Sequence, residues 1–136
     1  MDDLSRWLEQ FDPLPLECDG LTRVISTLLQ REGIEHHICI GQLDVAGVGA
    51  TPLHWWIALP DGRICDLRAR MWLAGSSEAP HGAFIQEPHQ NYIEKARPPV
   101  QDYRLDPIIF MILAEKPMEQ FALVGMPTKR PSSPGL

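Results

Sequence analysis

Apolar residues recur with a helical period close to the start of the chain. Five of them follow the i, i+3, i+4, i+7, i+8 spacing of an amphipathic helix: Leu21, Val24, Ile25, Leu28 and Leu29. Segment 18–32 is therefore predicted to form a helix, and Gly33 is expected to end it. Cys18 lies three residues before the first of these apolar positions, so we place it in the first helical turn, on the inward face.

Further along the chain, apolar and β-branched residues form short runs typical of strands. Segment 74–91 has no such run and is predicted to be a long loop, and a Gly-rich loop is expected at 44–52. Short helices are predicted at 5–10 and 117–123. Strands are predicted at 34–43, 53–59, 63–68, 103–105 and 108–114, the last of them central because it is apolar throughout. One core helix followed by such strands predicts an α+β fold, with the N-terminal helix packed on an antiparallel sheet.

Composition narrows the class of protein. The chain has 136 residues, of which 44% are hydrophobic and 22% are charged, as in an ordinary globular domain. We expect a single domain over 1–125 and a disordered Pro/Ser-rich tail over 126–136. A net charge of −6 without a basic run argues against a nucleic-acid partner, and no apolar stretch reaches the length of a membrane span.

The N-terminus and the cysteines suggest a cellular location. The acidic start MDDLSRWLEQFD lacks the basic and apolar regions of a signal peptide. The three cysteines, Cys18, Cys39 and Cys65, are odd in number and form no disulfide framework. A cytoplasmic location is therefore expected.

Three residues suggest thiol chemistry. A thiol attacks a carbonyl carbon as the thiolate, which a helix N-terminus and an imidazole both favour. Cys18 has the first of these positions. His54 begins the strand at 53–59 and Asp66 lies on the next strand, so a base and a group that orients it are both available.

The hairpin between these strands decides whether His54 and Asp66 can meet. A two-residue turn at Asp61-Gly62 would point their side chains to opposite faces. A three-residue turn over 60–62, with Gly62 left-handed, places Trp56 opposite Asp66 and His54 one diagonal step away on the same face. The triad therefore predicts the three-residue turn.

The order of these motifs resembles a known family. A Cys opening a helix, a His-x-Trp on a strand and a hairpin into DGRICDL are similar to the transglutaminase-like branch of the papain-like cysteine enzymes. Roughly residues 16–73 also resemble bacterial proteases that cleave the leader peptides of lasso precursors. The resemblance implies a papain/transglutaminase-like fold and peptide hydrolysis, amide hydrolysis or acyl transfer on a peptide or protein substrate, without a cofactor.

Residue roles follow from the same resemblance. Cys18 would be the nucleophile, His54 the general base and then acid, and Asp66 the residue that orients His54. The Cys18 backbone N–H is one candidate oxyanion donor, and Gln10 is a weaker one. Trp56 would line the cleft if it shares the face of His54.

Other interpretations remain open. Cys18 alone is more typical of a small buried apolar residue at a helix start than of a nucleophile, and Asp66 could pair with Arg63 or Arg68. No metal site is expected, because the potential ligands lack the close spacing of zinc sites: His36, His37, Cys39, Cys65, His81 and His89. The alternative to an enzyme is a non-catalytic interaction or inhibitor protein, bacterial or from a phage, on the same fold. The sequence does not indicate the oligomeric state.

Overall fold

The chain is an α+β protein with an antiparallel sheet, as predicted. The computed structural model describes residues 3–124, so the predicted tail at 126–136 lies outside the described residues. Four α-helices occur in this part of the chain: α1 (Asp3–Leu8), α2 (Cys18–Arg31), α3 (Ala69–Trp72) and α4 (Pro107–Ala114). Short 3-10 helices add Glu9–Phe11, Val100–Tyr103 and Met118–Gln120.

Six strands of the described chain form one sheet. They are β1 (His37–Val45), β2 (Gly49–Ala50), β3 (His54–Ala58), β4 (Ile64–Asp66), β5 (Gly82–Phe84) and β6 (Gln90–Ala96). Their order in the sheet is β2-β1-β3-β4-β5, and β6 pairs with β1; these pairings are all antiparallel.

Helix α2 covers one face of the sheet. Its apolar stripe joins Ile57, Leu59 and Cys65 in the main core, and Gly33 ends the helical segment with a φ of 70°. The predicted helix at 18–32 is thus confirmed to within one residue. Burial of this stripe fixes which side of each strand faces α2, because side chains alternate along a strand.

The opposite side of the sheet, which we call the inner face, carries the residues of chemical interest. Strand register places His54, Trp56, Asp66, Phe84 and Tyr92 on it. The rings of Phe84 and Tyr92 lie 6.1 Å apart, although three strands separate β5 from β6 in the sheet. The sheet must therefore curl, so that its inner face is enclosed.

The C-terminal strands predicted at 103–105 and 108–114 are wrong. Segment 107–114 is helix α4, and 3-10 helix ends at Tyr103. The Asp106 carboxylate caps α4 by accepting hydrogen bonds from the amides of Ile108 and Ile109, both at 2.9 Å, and Pro107 fits the first turn. These signals for a helix start outweigh the strand preference of the isoleucines in α4.

The long loop predicted at 74–91 is also partly wrong. Strand β5 lies within it, and β6 begins at Gln90. Strand β6 is mostly exposed, so it lacks the apolar alternation that marks a half-buried strand. The helix predicted at 117–123 shrinks to a 3-10 turn over Met118–Gln120.

Candidate active site

The β3–β4 hairpin has the three-residue turn that the triad requires. Ala58 pairs with Ile64, and the Leu59 amide donates to the Arg63 carbonyl at 2.9 Å. Gly62 has a φ of 93°, a left-handed conformation that favours glycine. Residues 60–62 therefore form the turn, and the predicted register is confirmed.

This register brings His54 and Asp66 together. The Nε2 atom of His54 and the Oδ2 atom of Asp66 lie 2.7 Å apart, and both side chains are almost completely buried, with 0% and 1% exposed. A carboxylate on Nε2 fixes the imidazole ring and leaves Nδ1 to act as the base.

Cys18 supplies the thiol beside this pair. It is the first residue of α2, and Glu17 before it has an extended backbone and forms no side-chain cap. No hydrogen bond to the buried Nδ1 of His54 forms among residues 3–124, and the Cys18 thiol is close enough to interact with the ring. The open nitrogen is therefore the one that can exchange a proton with sulfur.

The surroundings of His54 favour the charged form of its imidazole. Burial lowers its pKa, but the hydrogen bond to Asp66 and the interaction with the Cys18 thiol outweigh that effect and raise the pKa of His54 to about 9. An imidazolium at neutral pH favours a neighbouring thiolate. Charge and geometry thus both suit a nucleophilic cysteine.

Asp66 accepts further hydrogen bonds. The Tyr92 hydroxyl donates to Oδ2 at 2.7 Å, and the Arg68 amide donates to Oδ1 at 3.0 Å. The side chains of Arg63 and Arg68 instead bond to the carboxylates of Asp61 and Asp12, respectively. The structure thus does not favour the alternative interpretation, a surface ion pair between Asp66 and an arginine.

The Arg68 side chain links residues 12–16, which precede Cys18, to the end of β4. Its guanidinium, in a side chain only 9% exposed, donates to the carbonyls of Asp12, Leu14, Leu16 and Leu67. These backbone acceptors hold the chain that leads into Cys18. Sequence reasoning missed this role, because an arginine next to Asp66 suggested a side-chain ion pair.

The space beside the thiol is small, and a larger groove lies next to it. Cys18 is only 7% exposed, and the cavity that it lines measures about 10 Å³, enough for a single water. A groove of about 630 Å³ runs along residues 12–17 and includes Glu17, the neighbour of Cys18. A substrate that follows this groove would reach the start of α2.

Two weaker predictions concern Gln10 and Trp56. Gln10 is exposed, and its Nε2 donates to the Trp7 carbonyl at 2.9 Å, so its role as an oxyanion donor stays a prediction. Trp56 does share the face of His54, with ring centroids 6.2 Å apart. It is 3% exposed and supports His54, and its contact with a substrate also stays a prediction.

Three other histidines and Cys39 have partners of their own. His36 bonds to Ser26 and to the Ile34 carbonyl, and His81 and His89 lie near Asp12 and Glu78. Cys39 is buried, and that burial, with Glu94 nearby, raises the pKa of its thiol to about 12. Within residues 3–124, no cluster of three or more His, Cys, Asp or Glu side chains is placed to hold a metal ion.

Comparisons with known proteins add no relative. No family model, curated protein or solved structure matches this chain. None of the helices among residues 3–124 has the length and apolar character to span a membrane. The resemblance to papain-like and transglutaminase-like enzymes therefore stays a prediction, carried by the residues themselves.

Proposed function

We propose that the protein is a cysteine-dependent hydrolase or acyltransferase of papain/transglutaminase-like fold that acts on peptide bonds or side-chain carboxamides. One observation carries the proposal: His54 is paired with Asp66 through Nε2, its Nδ1 has no hydrogen-bond partner among residues 3–124, and the thiol that interacts with this ring is at a helix N-terminus. A cytoplasmic location is part of the proposal, because a thiol nucleophile must stay reduced.

Acylation would start from a Cys18 thiolate beside a His54 imidazolium, and both charges would be lost in this step. The Cys18 sulfur attacks the carbonyl carbon, and the carbonyl oxygen becomes an oxyanion near the N-terminus of α2, where the Cys18 amide is a candidate donor. As the C–N bond breaks, Nδ1 of His54 gives its proton to the leaving amine. A thioester on Cys18 and a neutral imidazole remain.

Deacylation reverses these proton movements. Water or an incoming amine gives a proton to Nδ1 and attacks the thioester carbon, and the C–S bond breaks. The product is an acid or a new amide, and the thiolate–imidazolium pair returns. Asp66 stays ionised throughout and keeps Nε2 as the donor nitrogen.

A second candidate function is a non-catalytic interaction protein. The small cavity beside a thiol that is only 7% exposed favours it, because a substrate must widen this space before the carbonyl meets sulfur. An interaction protein would bind a partner stoichiometrically, and that binding would survive Cys18→Ala.

An activated ester distinguishes the two candidates. We expect p-nitrophenyl acetate to give a burst of nitrophenolate and an acetyl group on Cys18, located by peptide mass spectrometry. Cys39→Ala and Cys65→Ala are matched controls, because both thiols are buried and outside the triad. They should keep the burst, while Cys18→Ala should lose it and retain its circular dichroism spectrum.

Two results would contradict the proposal. One is acetylation confined to Cys39 or Cys65, and the other is a burst that persists in Cys18→Ala. Absence of any acetyl adduct on a folded wild-type protein would favour the interaction protein.

A further inference from the structure

Tyr92 contacts the catalytic pair from strand β6, on the same inner face of the sheet. Its hydroxyl donates to the Oδ2 atom of Asp66 at 2.7 Å, the same oxygen that lies 2.7 Å from Nε2 of His54. Two donors therefore share one carboxylate oxygen. The hydrogen bond from the phenol neutralises part of the negative charge on the Asp66 carboxylate. The charge that remains determines how strongly Asp66 stabilises the imidazolium form of His54.

Strand pairing and ring packing between residues distant in sequence place Tyr92 beside Asp66. Strand β6 pairs with β1 and places Tyr92 opposite Leu43. The phenol ring then packs edge-on against Trp56, with centroids 4.8 Å apart, and lies near Phe84 on β5. Because Trp56 also packs on His54, the hydroxyl, the imidazole and the carboxylate form one supported cluster.

The phenol is a permanent donor. Burial, together with the adjacent Asp66 carboxylate, raises the pKa of Tyr92 above its ordinary value. The hydroxyl therefore keeps its proton at any pH at which the protein is active. It can neutralise part of the carboxylate charge without itself becoming charged.

We propose that Tyr92 is a positioning residue that holds Asp66 in place and limits the negative charge that Asp66 presents to His54. This inference rests on the proposed function for its catalytic consequence. Besides Tyr92, the groups that face the pair are the Cys18 thiol from α2 and the Arg68 amide after β4. Without the phenol, Oδ2 directs its whole charge at the imidazole, and the carboxylate loses one of three hydrogen bonds.

The first test is Tyr92→Phe, which keeps the ring that packs on Trp56. Nitrogen NMR of the imidazole follows the titration of His54 without reference to activity. The midpoint should rise by about half a pH unit or more, because one neutralising donor is gone. Tyr103→Phe is the matched control, since Tyr103 is the other tyrosine in the chain and packs on Trp55; its midpoint should stay at the wild-type value.

The second test changes the strength of the donor without removing it. In the Tyr103→Phe background, fluorotyrosine incorporation labels position 92 alone and makes the phenol a stronger donor. The midpoint of His54 should then fall, opposite to the effect of Tyr92→Phe. A residue that only fills space would not give shifts of opposite sign.

Activity supplies the catalytic readout. For ester hydrolysis, Tyr92→Phe should lower kcat by about tenfold at unchanged KM. The substitution disturbs the orientation of the His54–Asp66 pair but removes no contact with the substrate. An unchanged or lowered His54 midpoint in Tyr92→Phe would overturn the inference. Failure of the proposed function would show itself differently, as absence of an acetyl adduct on Cys18 in the wild-type protein.

Discussion

The His54–Asp66 pair should make stability depend on pH in a specific window. In the folded state the pKa of His54 is about 9, against 6.5 for the unperturbed group. The folded protein therefore binds this proton more tightly, by about 3 kcal/mol at 1.36 kcal/mol per pH unit. That stabilisation is complete below pH 6.5 and is lost as the pH rises through 9.

Asp66→Asn removes the charge that creates this window. Burial then lowers the pKa of the imidazole, and the interaction with Cys18 is what still raises it, so the variant should lose less stability than the wild type between pH 6.5 and 9. Burial also lowers the pKa of His36 and raises that of Cys39 to about 12, and both of these shifts act outside that window and are common to the two proteins. The stability difference between wild type and variant should therefore shrink by up to about 3 kcal/mol across the window.

Urea unfolding at half-unit pH intervals measures this difference. Asp61→Asn is the matched control, because Asp61 is half exposed and bonds to Arg63, and its pH dependence should follow the wild type. Parallel curves for wild type and Asp66→Asn would contradict this prediction, since they would show that His54 gains no proton affinity from Asp66.

Three further substitutions test how the fold supports the site. In Gly41→Ala, the new Cβ would lie 1.9 Å from the Ile93 carbonyl oxygen on β6, so we expect a loss of about 1–3 kcal/mol in urea unfolding and faster amide exchange in β6; wild-type stability would contradict this close approach. Arg68→Lys cannot reproduce the guanidinium bonds to several carbonyls and should slow Cys18 alkylation, whereas an unchanged rate would show that the segment before α2 needs no such support. Asp106→Ala should cost about 1 kcal/mol, the usual value of a lost helix cap, and an unchanged unfolding midpoint would contradict the helical assignment of α4.

Periodic patterns predicted the elements that carry the triad. The apolar stripe of α2 fixed the inward direction of Cys18, and the turn at Gly62 fixed the shared face of His54 and Asp66. Both depend on residues that are close in sequence, where spacing alone determines geometry.

The parts that were missed depend on distant contacts. Tyr92 reaches Asp66 only because β6 pairs with β1 and the sheet curls, and no local pattern marks that pairing. The bonds from Arg68 to carbonyls 52 to 56 residues earlier are equally invisible in sequence. For α4, the Asp106-Pro107 start signal was present, but the unbroken apolar run over 108–114 suggested a central strand, and periodicity alone does not distinguish such a run from a buried helix.

Alkylation of Cys18 as a function of pH tests whether His54 activates this thiol as a nucleophile. With Cys39 and Cys65 replaced by serine, iodoacetamide reports Cys18 alone. We expect a fast reaction at neutral pH that slows by about tenfold or more in His54→Ala, because the imidazolium partner is lost. Equal rates at every pH with and without His54 would contradict a thiolate–imidazolium pair and leave Cys18 a structural cysteine.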